Sequence, residues 1–388
     1  VKAGLLYAGT DAGVFVSFDD GDHWRSLQQN LPTAWITDLL VHGGDLIAAS
    51  EGRGIWVLDD VAPLREMSAA IAARPAYLFA PAKTYRVHPN NNKDTPLPPE
   101  TPAGQNPPAG AIIDYWLGAT VNGPVTLEIR DASGHVVRCF ASNEPEKPPK
   151  AERYFAKEWT GAPEVFSAAP GMHRFVWNLR YARPEAIGYD YSIAAVWGTN
   201  TPVNPAGAFV LPGNYTVVLT ASGASYSAPL HVAEDPRIKA SADDLKASLL
   251  LSQDIYEMLA RARQGYGEVE AVRRELAARF PEKTKNALAE AVRATLDIGA
   301  KFETTSAALG GTETALESAD VAPTDAQNAA VARALSVLDK ADADWTAAKG
   351  GALAALNAAL EKAHEKPVAI PPPDKLEVEA PDSGQDLP

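Results

Sequence analysis

The hydrophobic period of this chain changes from two to about 3.6 residues at one point, Asp235-Pro236. Before that point apolar residues alternate with polar ones, as at Tyr215, Val217 and Leu219, which is typical of strands with one buried face. After it apolar residues recur every three or four positions, which is typical of amphipathic helices. The pattern therefore predicts a β region followed by an α region, in a multidomain β plus α protein.

The β region is itself divided by composition. Residues 1–67 contain five short apolar runs separated by Gly-containing turns, which predicts a meander of small antiparallel sheets. Residues 68–111 become Pro-rich and predict a linker. Residues 112–237 return to alternation and predict a β-sandwich of the immunoglobulin or fibronectin III kind, interrupted by two long excursions near 141–170 and 181–211.

The α region, residues 240–365, predicts an antiparallel bundle of three or four helices. Two capping boxes mark helix starts, one from Ser241 to Asp244 and one from Thr324 to Gln327.

Glycine and proline residues predict where the helices end. Pro281 is placed as the first residue of a helix, and the pairs Gly310-Gly311 and Gly350-Gly351 predict breaks. Residues 366–388 are rich in proline and acidic residues and predict an extended tail.

Charge and composition exclude several function classes. The chain has 388 residues and a formal net charge of −14, which repels nucleic acid and anionic membrane surfaces. No apolar run reaches the roughly 18 residues that a membrane-spanning helix needs. Cys139 is the single cysteine, and the seven histidines are scattered, so we expect no internal disulfide, metal site or cofactor.

One motif stands out in the first β segment. Residues Ser17, Asp19, Gly21 and Trp24 fit the pattern S-x-D-x-G-x-x-W. The motif resembles the Asp box, or BNR repeat, of sialidases and sortilin-type domains. The resemblance implies a structural role: the Asp19 carboxylate accepts backbone N–H groups across a turn, Gly21 takes a positive φ, and Trp24 packs under the hairpin.

The resemblance extends to the family of large bacterial BNR-repeat β-propeller proteins, which are often labelled glycosyl hydrolase or sortilin-like. It implies that residues 1–67 are the closing blades of a propeller. Because propellers typically have four to eight blades, the remaining blades would lie upstream, in the same gene product or in a partner fragment. The family also implies a secreted or periplasmic location.

Two carboxylates near the end of residues 1–67 are candidates for catalysis. Asp59 and Asp60 are adjacent at the end of a strand, where neighbouring side chains point to opposite faces. A glycosidase needs two carboxyl groups on either side of a sugar, so this pair does not form that dyad by itself. No catalytic residue is assigned.

Aromatic residues in the two excursions are the remaining candidates for a site. Such side chains either pack one domain against another or stack against a ligand such as a carbohydrate. The candidates are Tyr154, Trp159, Tyr189, Tyr191 and Trp197.

Three functions are compatible with these patterns. The first is a non-catalytic C-terminal structural or interaction region, serving assembly or ligand presentation in an exported bacterial protein. The second is the accessory region of a glycoside hydrolase whose active site lies on upstream blades. The third is a sortilin-like propeller that binds a protein or peptide.

Overall fold

The computed structural model describes residues 2–88, 107–119, 121–144, 151, 165–191, 203–281, 285–376 and 378. Three hydrophobic clusters organise this β plus α protein, and each is built mainly from one stretch of the chain. We call these stretches the N-terminal β region, the central β region and the helical region. Tyr154, Trp159 and Trp197 lie outside the described residues.

The N-terminal β region consists of two three-stranded antiparallel sheets. Val14 of the first sheet and Leu46 and Ala48 of the second share one buried cluster. Gly9 lies so close to Ile36 that a β-carbon there would be 2.6 Å from Ile36 Cγ2. The strands are β1 (Leu6–Thr10), β2 (Gly13–Ser17), β3 (Arg25–Ser26), β4 (Ile36–His42), β5 (Asp45–Ser50) and β6 (Gly54–Leu58).

The segment for which composition predicts a linker contains regular structure. Two short helices, α1 (Ala62–Glu66) and α2 (Ala69–Ala72), are followed by β7 (Ala76–Leu78) and β8 (Thr84–Arg86). Both strands pair with strands of the central β region, β7 antiparallel and β8 parallel. Three residues are too few to show alternation, which is why the sequence does not reveal these strands.

The central β region has a five-stranded mixed sheet in the order β11-β10-β15-β16-β8 and a three-stranded sheet in the order β12-β9-β7. Trp177 and Ile113 of the smaller sheet and Leu127 and Leu219 of the larger one belong to one buried cluster. The strands are β9 (Ala111–Leu117), β10 (Thr126–Arg130), β11 (Val136–Ala141), β12 (Gly171–Trp177), β13 (Asp190–Tyr191), β14 (Val203–Asn204), β15 (Gly213–Ala221) and β16 (Ala224–Glu234).

The helical region begins with a helix of 38 residues. Both predicted capping boxes are present, at Ser241 with Asp244 and at Thr324 with Gln327. No described helix is long and apolar enough to cross a membrane. The helices are α3 (Ala242–Arg279), α4 (Ala287–Arg293), α5 (Ile298–Leu316), α6 (Asp325–Ala348) and α7 (Ala354–Lys362).

The predicted glycine breaks are wrong. Helix α5 continues through Gly310 and Gly311, because a glycine inside a helix costs only about 1 kcal/mol relative to alanine and does not by itself end the helix. Gly350 and Gly351 lie in a π-helical turn, Lys349–Leu353, that joins α6 to α7 without interruption.

The described ends of the helices and of the tail differ from the prediction in two further places. Pro281 follows α3 and does not start a helix, since α4 is capped by the Asn286 side chain. The beginning of the predicted tail is held in place, because the backbone N–H and C=O of Val368 both bond to the side chain of Asn357.

Candidate interaction surface

The Asp19 carboxylate is bonded within its own turn. Asp19 Oδ1 accepts hydrogen bonds from Ser17 Oγ and from the His23 backbone N–H, each at 2.9 Å. Gly21 adopts a φ of +99°. The backbone N–H and the ring of His23, followed by the Ser17 hydroxyl, lower the pKa of Asp19 to about 2. Trp24 lies at the surface, 43% exposed.

The second sheet of the N-terminal β region has one apolar face that no described residue covers. Leu40 is 54% exposed, Ile55 73% and Val57 51%. These residues belong to two cross-strand rows, and we call that side of the sheet the open face. The rows are Leu40–Ile47–Val57 and Asp38–Ala49–Ile55.

The opposite face of the same sheet is covered. Leu46 and Ala48 of β5 are buried against the first sheet, where Val14 is also buried. Trp35, directly before β4, is also exposed, at 60%. Because monomeric proteins rarely leave large contiguous apolar surfaces exposed, this sheet face is a candidate interaction surface.

Arg174 joins the N-terminal and central β regions. Its Nε and Nη2 atoms lie 3.0 Å from the two carboxylate oxygens of Asp114, which is buried. Its Nη1 and Nη2 atoms donate to the backbone carbonyls of Asp59 and Asp60 at 2.6 and 2.8 Å. Burial raises the pKa of Asp114, and Arg174 opposes that rise. Asp59 and Asp60 therefore serve here as backbone acceptors.

The structure describes two of the candidate aromatic residues of the excursions, Tyr189 and Tyr191. Tyr189 packs against the helical cluster, and its hydroxyl donates to the Pro184 carbonyl at 2.8 Å and accepts the Ala186 N–H at 2.9 Å. Tyr191 lies on β13, where it pairs with Val203.

A second junction, between the central β region and the helical region, is rich in carboxyl groups. Sequence reasoning missed it, because its partners lie far apart in the chain. Arg86 bonds to Asp320, which is 234 residues away in the sequence. Arg180 bonds to Glu317, which is 137 residues away in the sequence. We call this cluster the acidic junction.

An open groove of about 640 Å³ runs along the outer side of the five-stranded sheet. Arg130 and Asn214 line it, but Arg130 is paired with Glu128 at 2.5 Å. Asp131, also in the groove, accepts two backbone N–H groups of its own turn. Among the described residues, no group of three His, Cys, Asp or Glu side chains is placed to hold a metal ion.

No family model, curated protein or solved structure matches this chain. Its function must therefore be inferred from the surfaces that it exposes and the groups that it buries.

Proposed function

We propose that this chain is a non-catalytic structural and interaction region of an exported bacterial Asp-box propeller protein. In this proposal residues 1–67 are closing propeller blades, residues 112–237 a β-sandwich and residues 240–365 a helical bundle. The observation that carries the proposal is the open face, which is apolar and exposed. The opposite face of the same sheet is already covered by the first sheet.

The occupant proposed for the open face is a further three-stranded sheet of the same repeat. In a propeller each blade packs both of its faces against neighbouring blades. The Gly9–Ile36 contact supports this geometry, because it brings two such sheets face to face within this chain. The preceding blades, in the same gene product or in a partner fragment, would supply the covering sheet.

The energetic case rests on three side chains. Leu40, Ile55 and Val57 are each at least half exposed. Covering them would contribute about 1 kcal/mol or more per residue, because burial of an aliphatic side chain removes its apolar surface from water. Asp38 is the one charged residue in the two rows, so little polar surface would need to be desolvated.

A non-catalytic role is supported by the geometry of the carboxyl groups that the sequence singled out. Asp19 is bonded within its turn, and the Asp60 carboxylate accepts the Ala62 backbone N–H at 2.9 Å. These groups act in the fold itself, which is the behaviour expected of scaffold residues.

Binding of the preceding blades to this chain tests the proposal. We expect association in sedimentation velocity, weakened by at least about tenfold in the Ile55→Lys, Val57→Lys double variant, since a tenfold change corresponds to 1.4 kcal/mol. The matched control is Val136→Lys, which changes an equally exposed residue on β11 and should leave association unchanged. No association, equal association of the double variant, or turnover of glycosides by this chain alone would overturn the proposal.

A further inference from the structure

The acidic junction holds more carboxyl groups than cations. Four carboxyl groups meet two guanidinium groups and one imidazole where the helical region contacts the central β region. The residues are Glu234, Glu313, Glu317 and Asp320 on the acidic side and Arg86, Arg180 and His88 on the basic side.

Glu317 is the well-paired member of this cluster. Arg180 Nη1 donates to its Oε2 at 2.7 Å, and the Phe209 backbone N–H donates to the same oxygen at 3.0 Å. The Arg180 guanidinium also lies over the Phe209 ring, 3.6 Å from its centroid. This arrangement uses Arg180 to stabilise an ionised Glu317.

Glu313 lies one helical turn earlier on α5 and has no such partner. Its side chain is fully buried, and neither carboxyl oxygen makes a hydrogen bond. The hydroxyls of Ser252 and Tyr256, on α3, lie beside it without reaching hydrogen-bond geometry, and that of Tyr256 instead accepts the Ala208 N–H. Burial, and then the charge of Glu317, raise the pKa of Glu313 to about 8.

A second carboxyl pair lies at the other end of the junction. Arg86 and His88 both bond to Asp320 Oδ1, while Glu234 Oε2 is 3.8 Å from Arg86 Nη1. Burial, and then the charge of Asp320, raise the pKa of Glu234. Burial works against ionised Asp320 as well, but His88 and Arg86 outweigh it and lower the pKa of Asp320. Arg86 and His88 therefore both bond to Asp320, and neither forms a hydrogen bond with Glu234.

We propose that the acidic junction is a proton-dependent latch, in which the helical region docks on the central β region while Glu313 is protonated and loosens when Glu313 ionises. Ionisation would place a second carboxylate beside Glu317, with Arg180 already bonded to Glu317 and to the Gly207 carbonyl. An unpaired buried charge is costly, so the contact should weaken.

The direction of the pH dependence follows from proton linkage. The docked pKa of Glu313, about 8, lies above its ordinary value of 4.5. The docked state therefore binds the additional proton, and the stabilisation is fully present below pH 4.5. The stabilisation is lost as the pH rises towards 8. The equilibrium constant for docking falls by up to about tenfold for each pH unit.

The experiment measures energy transfer between the two regions in the full chain. The exposed native Cys139 on β11 and a cysteine introduced by Val337→Cys on α6 carry the dyes. Urea titrations between about pH 5.5 and pH 8 should show that transfer is lost before the helical circular dichroism signal. In the labelled parent, the urea midpoint for loss of transfer should fall as the pH rises.

Glu313→Gln should make this fall smaller, leaving the part that the raised pKa of Glu234 contributes. Glu313→Met, which keeps the side-chain volume without an ionisable group, should have the same effect if the Gln variant does not fold. The matched control is Glu303→Gln on the same helix, which should retain the pH dependence of the parent. An unchanged pH dependence in the Glu313 variants would overturn the proposal. So would simultaneous loss of transfer and helicity at every pH, which would show unfolding without separate undocking.

Discussion

Gly9 and Ile36 are in direct contact across the two sheets of the N-terminal β region. A β-carbon at Gly9 would lie 2.6 Å from Ile36 Cγ2 and 3.0 Å from Ile36 Cβ. The Ile36 side chain therefore packs directly on the Gly9 backbone and leaves no room for a side chain at position 9. At this contact the first sheet covers one face of the second.

Gly9→Ala is expected to lower the free energy of unfolding of the N-terminal β region. The stiff, β-branched Ile36 side chain cannot rotate away, so the added methyl group costs about 1–3 kcal/mol. Urea denaturation followed by tryptophan fluorescence measures the loss. Gly44→Ala is the control, because its β-carbon meets only Asp60 Oδ1 at 3.9 Å. Equal effects of the two substitutions would contradict the close contact.

Arg174→Met should destabilise the chain by about 3 kcal/mol at neutral pH, because it leaves the buried Asp114 carboxylate without its cation. Burial already raises the pKa of Asp114, and loss of Arg174 should raise it further. Asp114 then takes up a proton on folding, so the destabilisation should shrink as the pH falls towards about 4.

Urea titrations at neutral pH and at about pH 4 measure the destabilisation caused by Arg174→Met, with Arg130→Met as the matched control. Arg130 pairs with Glu128 at a more exposed site, so its loss should cost less than about 1 kcal/mol. A loss for Arg174→Met that does not depend on pH would count against the role assigned to Asp114.

Asp19 should titrate far below an ordinary aspartate. Its hydrogen bonds from the His23 backbone and ring and from Ser17 lower its pKa to about 2, so the turn is stabilised above pH 3.8 and loses that stabilisation as the pH falls through 2. Carboxyl ¹³C NMR measures the titration. His23→Ala, which removes the ring but keeps the backbone N–H, should move the midpoint part of the way towards 3.8. A native midpoint near 3.8 would contradict the turn geometry.

The sequence predicts those features whose signals are local. Alternation at Tyr215, Val217 and Leu219 corresponds to the buried face of β15, and the capping box at Ser241 marks the start of α3. Strands β7 and β8 are stabilised by pairing with distant strands, so their own residues carry too little pattern to predict them.

Features that depend on tertiary packing were missed. Gly310 lies inside α5 and beside the Pro205 ring, a position that local helix propensity does not indicate. The acidic junction unites Arg86 with Asp320 and Arg180 with Glu317 over more than a hundred residues of sequence. Spacing along the chain does not predict such contacts.

Thiol labelling at position 55 tests directly whether a further sheet covers the open face. Ile55→Cys in a Cys139→Ser background places one thiol on the open face, where the native side chain is 73% exposed. We expect fast maleimide labelling of this variant alone and labelling slower by at least about tenfold in complex with the proposed preceding blades, because a covering sheet protects the thiol. Equal labelling rates would show that nothing covers the open face and would contradict the account.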